Sequence, residues 1–352
     1  FYCNTRRSVQ TISEFVGADL SKAVKENSAV IRTFEGIAVQ FSYTADMFYT
    51  SIYLRYNPLY EEEKLEGWIT EISGNVIGRP FLTRNEETGK LNVVVFDDLN
   101  NIYLIDHFGK ITWKTPLIDL PLSQIYVVDN FRDGKKQFLF NTGSYLYLID
   151  RSGNYVGDYP IKFMAEATCG IEMLENEDDQ DYRLLVALSD NRVYNLDINA
   201  KATAGWQKVS TAQPVKVPVQ HLQNNDKDYI FITDENGGVT IVNRKGEPRI
   251  NLKKGFRKAK NSEFYINQTN SKGTFITTDT DGKLVYVTEN GKVDRADFGD
   301  YSSEHFFLYE DITKDDSRDF IFVDQNKLHV LDRMKEPLLE FQFPEKITVQ
   351  PV

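Results

Sequence analysis

The chain has 352 residues, 41% of them hydrophobic and 26% charged, and carries a net charge of −11. That hydrophobic fraction excludes a disordered chain and supports one large or two medium domains. The acidic balance repels phosphate backbones and sets nucleic-acid binding aside, and no apolar run reaches the roughly 18 residues of a membrane-spanning helix.

Residues 1–35 read as an N-terminal tail. Within it Ile12, Phe15, Val16, Leu20 and Val24 recur at helical spacing behind Ser13 and Glu14, which predicts a short amphipathic helix. The tail is expected to pack on the next domain or to be the remnant of an upstream one. The chain begins at Phe1 without Met, so a trimmed targeting or anchoring segment is expected upstream. Cys3 and Cys169 match no metal spacing, and either form one long-range disulfide or stay as free thiols.

Next come GIAVQFSY (36–43), MFYTSIYLRY (47–56) and GWITEI (67–72), which read as three strands. Alternation sends Tyr49 and Tyr53 to one face of their strand and Phe48 to the other. If the tyrosines are exposed they are candidates to bind a protein partner or a glycan, because tyrosine is favoured at interfaces. If buried, they are blade packing.

From residue 91 a repeat takes over. LNVVVFD, KQFLFNT, YRLLVALSD, DYIFITD, GTFITTD and DFIFVD each follow a polar loop, and Val93, Phe138, Leu184, Ile230, Phe275 and Ile321 recur every 45 or 46 residues. A second strand follows each run, as in IYLID, LYLID, VYNLD, VTIVN, LVYVT and LHVLD. Most copies then show a glycine turn and a third strand, and one short apolar run precedes each copy. Four short strands at this period are a propeller blade. Runs such as VVVF are too apolar for a face left in water, so both faces of a blade must be covered by neighbours. The expected fold is all-β: a propeller of four-stranded antiparallel blades over residues 36–352. Seven blades are expected, with six and eight as the alternatives. The strand KITVQPV (346–352) would pair with the three N-terminal strands and close the seventh blade, which removes exposed edges.

The unit IYLIDHFGKITWK (102–114) resembles the repeat of PQQ-like propellers, with Asp106, Gly109 and Trp113 at the Asp, Gly and Trp places of that family. Asp150 with Gly153, and Asp197 with Trp206, keep the pattern less completely. The acidic loops resemble those of FG-GAP propellers, whose D-x-D/N-x-D-G-x-x-D pattern often binds calcium. Over residues 36–350 the chain is similar to bacterial cell-envelope propeller proteins. What the resemblance implies is a non-enzymatic scaffold with protein partners, periplasmic or outer-membrane-associated.

Candidate sites are few. Asp311, Thr313, Asp315 and Asp319 place oxygens at alternating positions suited to calcium, although such residues equally set turns by accepting backbone N–H groups. The loops at Asp129 and Glu175 keep part of the pattern. Quinone chemistry is disfavoured because no Cys-Cys pair is present. His107, His221, His305 and His329 fall at different strand positions, with no cluster that marks a catalytic centre. The function expected from this reading is a non-catalytic protein-binding propeller. A calcium- or glycan-binding propeller and an enzyme with a site over the channel are the alternatives.

Overall fold

Apolar runs bounded by Asp, Asn and Gly turns should give short paired strands, and they do. The computed structural model describes residues 2–3, 22, 34–44, 47–56, 67–86, 88–174, 182–268 and 272–348. The chain divides into two compact units, residues 1–68 and 69–352.

The first unit holds one three-stranded antiparallel sheet in the order β1 (Tyr2–Cys3), β2 (Phe34–Thr44), β3 (Met47–Tyr56). β2 and β3 pair from Phe34↔Tyr56 to Thr44↔Met47, with a bulge near Gly36. The helix expected over residues 12–24 lies outside the described residues, apart from Lys22.

The second unit contains six four-stranded antiparallel sheets, each a meander of consecutive strands. Blade one is β4 (Val76–Arg84), β5 (Leu91–Asp97), β6 (Asn101–Ile105) and β7 (Ile111–Pro116). Blade two is β8 (Tyr126–Val128), β9 (Gln137–Asn141), β10 (Tyr145–Ile149) and β11 (Ile161–Lys162). Blade three is β12 (Glu172–Leu174), β13 (Arg183–Leu188), β14 (Arg192–Leu196) and β15 (Val209–Ser210). Blade four is β16 (Gln220–Asn224), β17 (Lys227–Thr233), β18 (Val239–Val242) and β19 (Pro248–Ile250). Blade five is β20 (Tyr265–Ile266), β21 (Phe275–Thr278), β22 (Leu284–Val287) and β23 (Val293–Ala296). Blade six is β24 (Phe306–Glu310), β25 (Asp319–Asp324), β26 (Lys327–Leu331) and β27 (Pro337–Gln342).

The two middle strands of each blade are the apolar runs of the repeat, and they are buried on both faces. Five hydrophobic cores sit between successive blades. Phe96, Leu104, Phe138 and Tyr147 fill the first, between blades one and two. Ile276, Tyr286, Phe307 and Phe322 fill the fifth, between blades five and six. Aromatic rings interlock there: Phe140 stacks on Tyr147 at 5.1 Å and Tyr301 on Phe322 at 4.1 Å.

The expected assembly of a seventh blade differs from what is described. The strand pair of residues 36–56 belongs to the sheet of the first unit, and residues 67–72 make no ladder. Residues 346–348 also make none. Ile347 instead donates its N–H to the Gln325 carbonyl at 2.8 Å, and residues 349–352 lie outside the described set. The side chain of Thr70 explains part of this. Its hydroxyl donates to the Gly109 carbonyl at 2.5 Å, so the segment is tied down by a side chain where a ladder was expected.

That contact repeats a rule between blades. Thr115, 45 positions after Thr70, donates to the Gly153 carbonyl at 2.6 Å. Beside it, Trp113 Nε1 donates to the Arg151 carbonyl at 2.8 Å. Further along, Gln207 N–H meets the Lys245 carbonyl at 2.7 Å, and Lys253 N–H meets the Gly291 carbonyl at 2.8 Å. In blades one, three and four, residues in or beside the outer strand thus dock on the third turn of the next blade. An Asp or Asn builds most of these turns: Asp106, Asp150, Asp197, Asn243 and Asp332 each accept the N–H groups two and four residues on.

Gly153 shows why the turn needs glycine. Its φ is +86°, and an added Cβ would lie 2.6 Å from Trp113 Cδ2. Gly134 is also left-handed, at φ +81°, but a Cβ there would meet nothing within 4 Å. Both alanine variants carry the left-handed penalty of about 1–2 kcal/mol. Gly153→Ala is expected to lose clearly more than Gly134→Ala in chemical denaturation, because only it displaces the tryptophan. Equal losses would show that the ring does not need this contact.

Candidate functional site at one mouth of the channel

In a four-stranded meander the first-to-second loops and third-to-fourth turns emerge at one end. The second-to-third turns and the connections to the next blade emerge at the other. First strands β12 and β16 touch, as do β16 and β20, so first strands line the axis. A cavity of about 550 Å³ opens there, walled by β12, β16 and the connections that precede β8, β16 and β20.

One side-chain position on the first strands links neighbouring blades. It is occupied by Tyr126, Glu172, Gln220, Tyr265 and Phe307, each paired with the residue one place after the aligned apolar position. Tyr126 donates to the Ile171 carbonyl at 3.0 Å. Gln220 grips Phe264 twice, its amide N donating to the carbonyl and its amide O accepting the N–H, both at 2.7 Å. Tyr265 donates to the Phe307 carbonyl at 3.3 Å. At this position blades are joined by side chain to backbone.

Glu172 is the acidic member of the series. Burial raises its pKa to about 7, although hydrogen bonds from the Tyr126 hydroxyl and the His221 N–H pull the other way. On the far wall burial lowers Lys258 to about 8, with a weaker upward pull from Glu263. Lys258 is only 5% exposed. Its ammonium donates to the carbonyls of Ala259, at 3.0 Å, and Ser262. The Ser262 hydroxyl continues the network to Thr277 Oγ1 and the Thr278 N–H, both at 3.0 Å.

The sequence did not single out Glu172, Gln220 or Lys258. Their signal was the repeat itself, blurred by connections of unequal length. The residues it did single out lie elsewhere. Asp311, Thr313, Asp315 and Asp319 gather in one loop at the opposite end. Asp311 accepts the N–H groups of Asp315 and Asp316 at 3.2 and 3.0 Å, and Asp315 accepts that of Ser317 at 2.9 Å. Asp319 is buried and accepts from Ile312 N, Thr313 N and Thr313 Oγ1 at 3.1 to 3.2 Å. The Asp129 loop has the same bonds: Asp133 N and Gly134 N donate to Asp129, and Lys135 N to Asp133. These carboxylates are occupied in holding the loops. Among the described residues no three His, Cys, Asp or Glu side chains form a group that could hold a metal. The Glu175 loop lies almost wholly outside the described residues.

Tyr53 is 58% exposed and Phe48 83%. Tyr49 pairs with Ser42 in the ladder, and its side chain lies outside the described residues. The four histidines stay apart in role. His107 lies tilted against Phe108 in an outer turn, and His329 lies near Tyr301. His221 bonds Asp228 at 2.7 Å. His305 is buried, bonded to Thr278 Oγ1 at 2.7 Å and to the Ser302 carbonyl at 2.5 Å, and burial lowers its pKa. Cys169 is a free buried thiol, pushed up to about 12 by desolvation.

No family model matches the sequence, and no curated protein matches it. Among solved structures the chain is similar to BBS1N, solved in complex with ARL6DN. The two share 12% identity with a TM-score of 0.52, over 78% of this chain and 83% of that one. BamB from Moraxella catarrhalis aligns at 13% identity and a TM-score of 0.42, over 74% of this chain and 73% of that one. At such identity the likeness to BBS1N is one of fold. The chain is a β-propeller.

Two outcomes are expected. The unfolded chain releases the Glu172 proton near 4.5 and the native protein near 7, so the native state holds more protons between those values. This group's stability contribution therefore falls as pH rises through that window. Glu172→Gln, which copies Gln220, should melt above the wild type beyond pH 7 by about 1–3 kcal/mol and match it below pH 4.5; a constant difference across pH would refute the assignment. Asp311→Ala should cost about 1–2 kcal/mol, as loss of a cap does, and the loss should be the same in calcium and in chelator.

Proposed function

We propose that the chain is a non-catalytic propeller that binds a protein partner on the end carrying the channel cavity. One observation carries this reading. Leu99, Ile118, Leu120, Leu122 and Met164 are large apolar side chains between 43% (Leu122) and 65% (Met164) exposed. All five belong to a second-to-third turn or a blade connection of the first three blades, so they emerge at that one end. Scattered exposed leucines are ordinary, but a group on one rigid face marks an interaction surface. The opposite end carries the self-satisfied acidic loops together with the exposed Phe108, Phe131, Ile312 and Met334 on blades one, two and six.

Chemistry supports the non-catalytic part. Glu172 and Gln220 spend their side chains on neighbouring backbone, and the histidines are each engaged separately. The solved complex of BBS1N with ARL6DN is an example of a similar fold meeting a protein partner. A bacterial cell envelope, periplasmic or outer-membrane-associated, is the setting proposed from the sequence resemblance.

A photo-crosslinking residue at Leu120 should capture one partner in extract of the native source, and the same residue at Asp133, on the other end, should not. Ile118→Asp with Leu120→Asp should weaken that partner at least about tenfold without changing the melting temperature. Capture from Asp133 alone, or an unchanged affinity in the double variant, would sink this reading.

A further inference from the structure

The repeat has an exception at the cavity. Pro121, Ala167 and Lys258 form equivalent isolated bridges, to Thr142, Leu188 and Asp279. The backbone bonds from Glu235 to Pro214 and from Thr280 to Arg257 place Val215 at the same position. Three blades thus use a small or apolar residue there, and Ala167 and Val215 belong to the cores. Blade five puts a lysine in that place and buries it.

Packing alone would not select this residue. A buried ammonium is costly unless paired. Among the described residues Lys258 forms no ion pair with a carboxylate; two carbonyls accept from it and the Phe264 ring centroid lies 5.9 Å from its Nζ, while an ammonium has three N–H groups. Lys258 lines the 550 Å³ cavity and also an adjoining one of about 250 Å³, where Lys216 and Lys260 stand with it. Nearby acids are spent or peripheral. Glu172 is held by Tyr126 and His221, and Asp234 accepts the N–H groups of Asn236 and Gly238 at 3.0 and 2.8 Å. Glu235 and Glu263 sit on the exposed rim. Three lysines share this mouth with Glu172, Asp234, Glu235 and Glu263.

We propose that this mouth binds a small organic acid with more than one carboxylate, with Lys258 as the buried counterion and Lys216 and Lys260 at the rim. The larger cavity falls within the usual range of ligand pockets, about 300–1,000 Å³. Ser123, Gln124 and Asn261 line it and supply neutral hydrogen-bonding groups. Cations spread over two joined pockets suit separated carboxylates better than one compact anion. The site requires no protein on the surrounding face, so its failure would leave the partner reading intact.

The test uses the full chain at constant ionic strength, titrated with succinate, citrate, inorganic phosphate and maltose in a calorimeter and in thermal melts. Succinate or citrate should bind saturably at millimolar concentration or below and raise the melting temperature. Lys260→Gln, an exposed change, should weaken binding at least about fivefold, and Lys258→Met should abolish it. If Lys258→Met does not fold, Lys260→Gln and Lys216→Gln decide. Absence of saturable acid binding, indifference to these substitutions, or phosphate or maltose binding as tightly as the acids would each overturn the proposal.

Discussion

A blade of this chain cannot keep either face in water. Its middle strands, such as β9 and β10, are buried along nearly their whole length, so each blade is stable only with neighbours on both sides. Most other features follow. Large aromatic side chains fill the gaps between sheets, where Phe231 stacks on Phe264 at 4.1 Å and meets Phe275 edge-on. The hydrophobic effect presses blades together without fixing their mutual rotation, because it has no direction. Rotation is set by hydrogen bonds, at two radii.

At the inner radius the series Tyr126, Glu172, Gln220 and Tyr265 reaches the next blade's first strand. At the outer radius Trp113, Gln207 and Lys253 reach the next blade's third turn. Two contacts far apart on one sheet define an angle better than either alone. Sequence variation within each set is informative. A phenol, a carboxylate and an amide all serve at the inner position because the target is always backbone, whose geometry does not change between blades. The carboxylate is the poorest choice there, since it must be desolvated, and that burial is why Glu172 ionises only near neutrality.

The repeat was legible because its strongest signals are local. Strand period, Asp–Gly turns and apolar runs aligned at Val93, Phe138, Leu184, Ile230, Phe275 and Ile321 place β5, β9, β13, β17, β21 and β25 in register. Trp113 was also legible as a packing residue. The seventh blade was not, because strand-forming sequence says nothing about which sheet a strand joins. Residues 36–56 form strands as expected, yet they pair with Tyr2–Cys3. GWITEI has strand composition, but what the structure uses from it is the Thr70 hydroxyl and the packing of Ile72 on Tyr103. The loop at Asp311 illustrates a different limit. Alternating oxygens look alike whether they face a cation or backbone N–H groups, and here Asp316 takes the left-handed conformation that Gly134 takes in the sister loop. Both copies show the backbone N–H bonds to the first aspartate that set a turn.

Exceptions to the repeat are where something beyond the ring must be sought. A residue type that recurs once per blade is explained by contacts that also recur, as Asp150 and Asp332 are by the turns they cap. Lys258 has no such explanation. Its equivalents are proline, alanine and valine, and its burial weakens its own charged state. The apolar side chains of the first three blades are a second exception, since the connection into blade five carries Lys253, Lys254, Arg257 and Lys260 and the blade-five turn at Asp281 is polar. One end of the molecule therefore changes character around the axis, apolar over blades one to three and basic over blades four and five. A partner or ligand that engages it meets a surface with a direction.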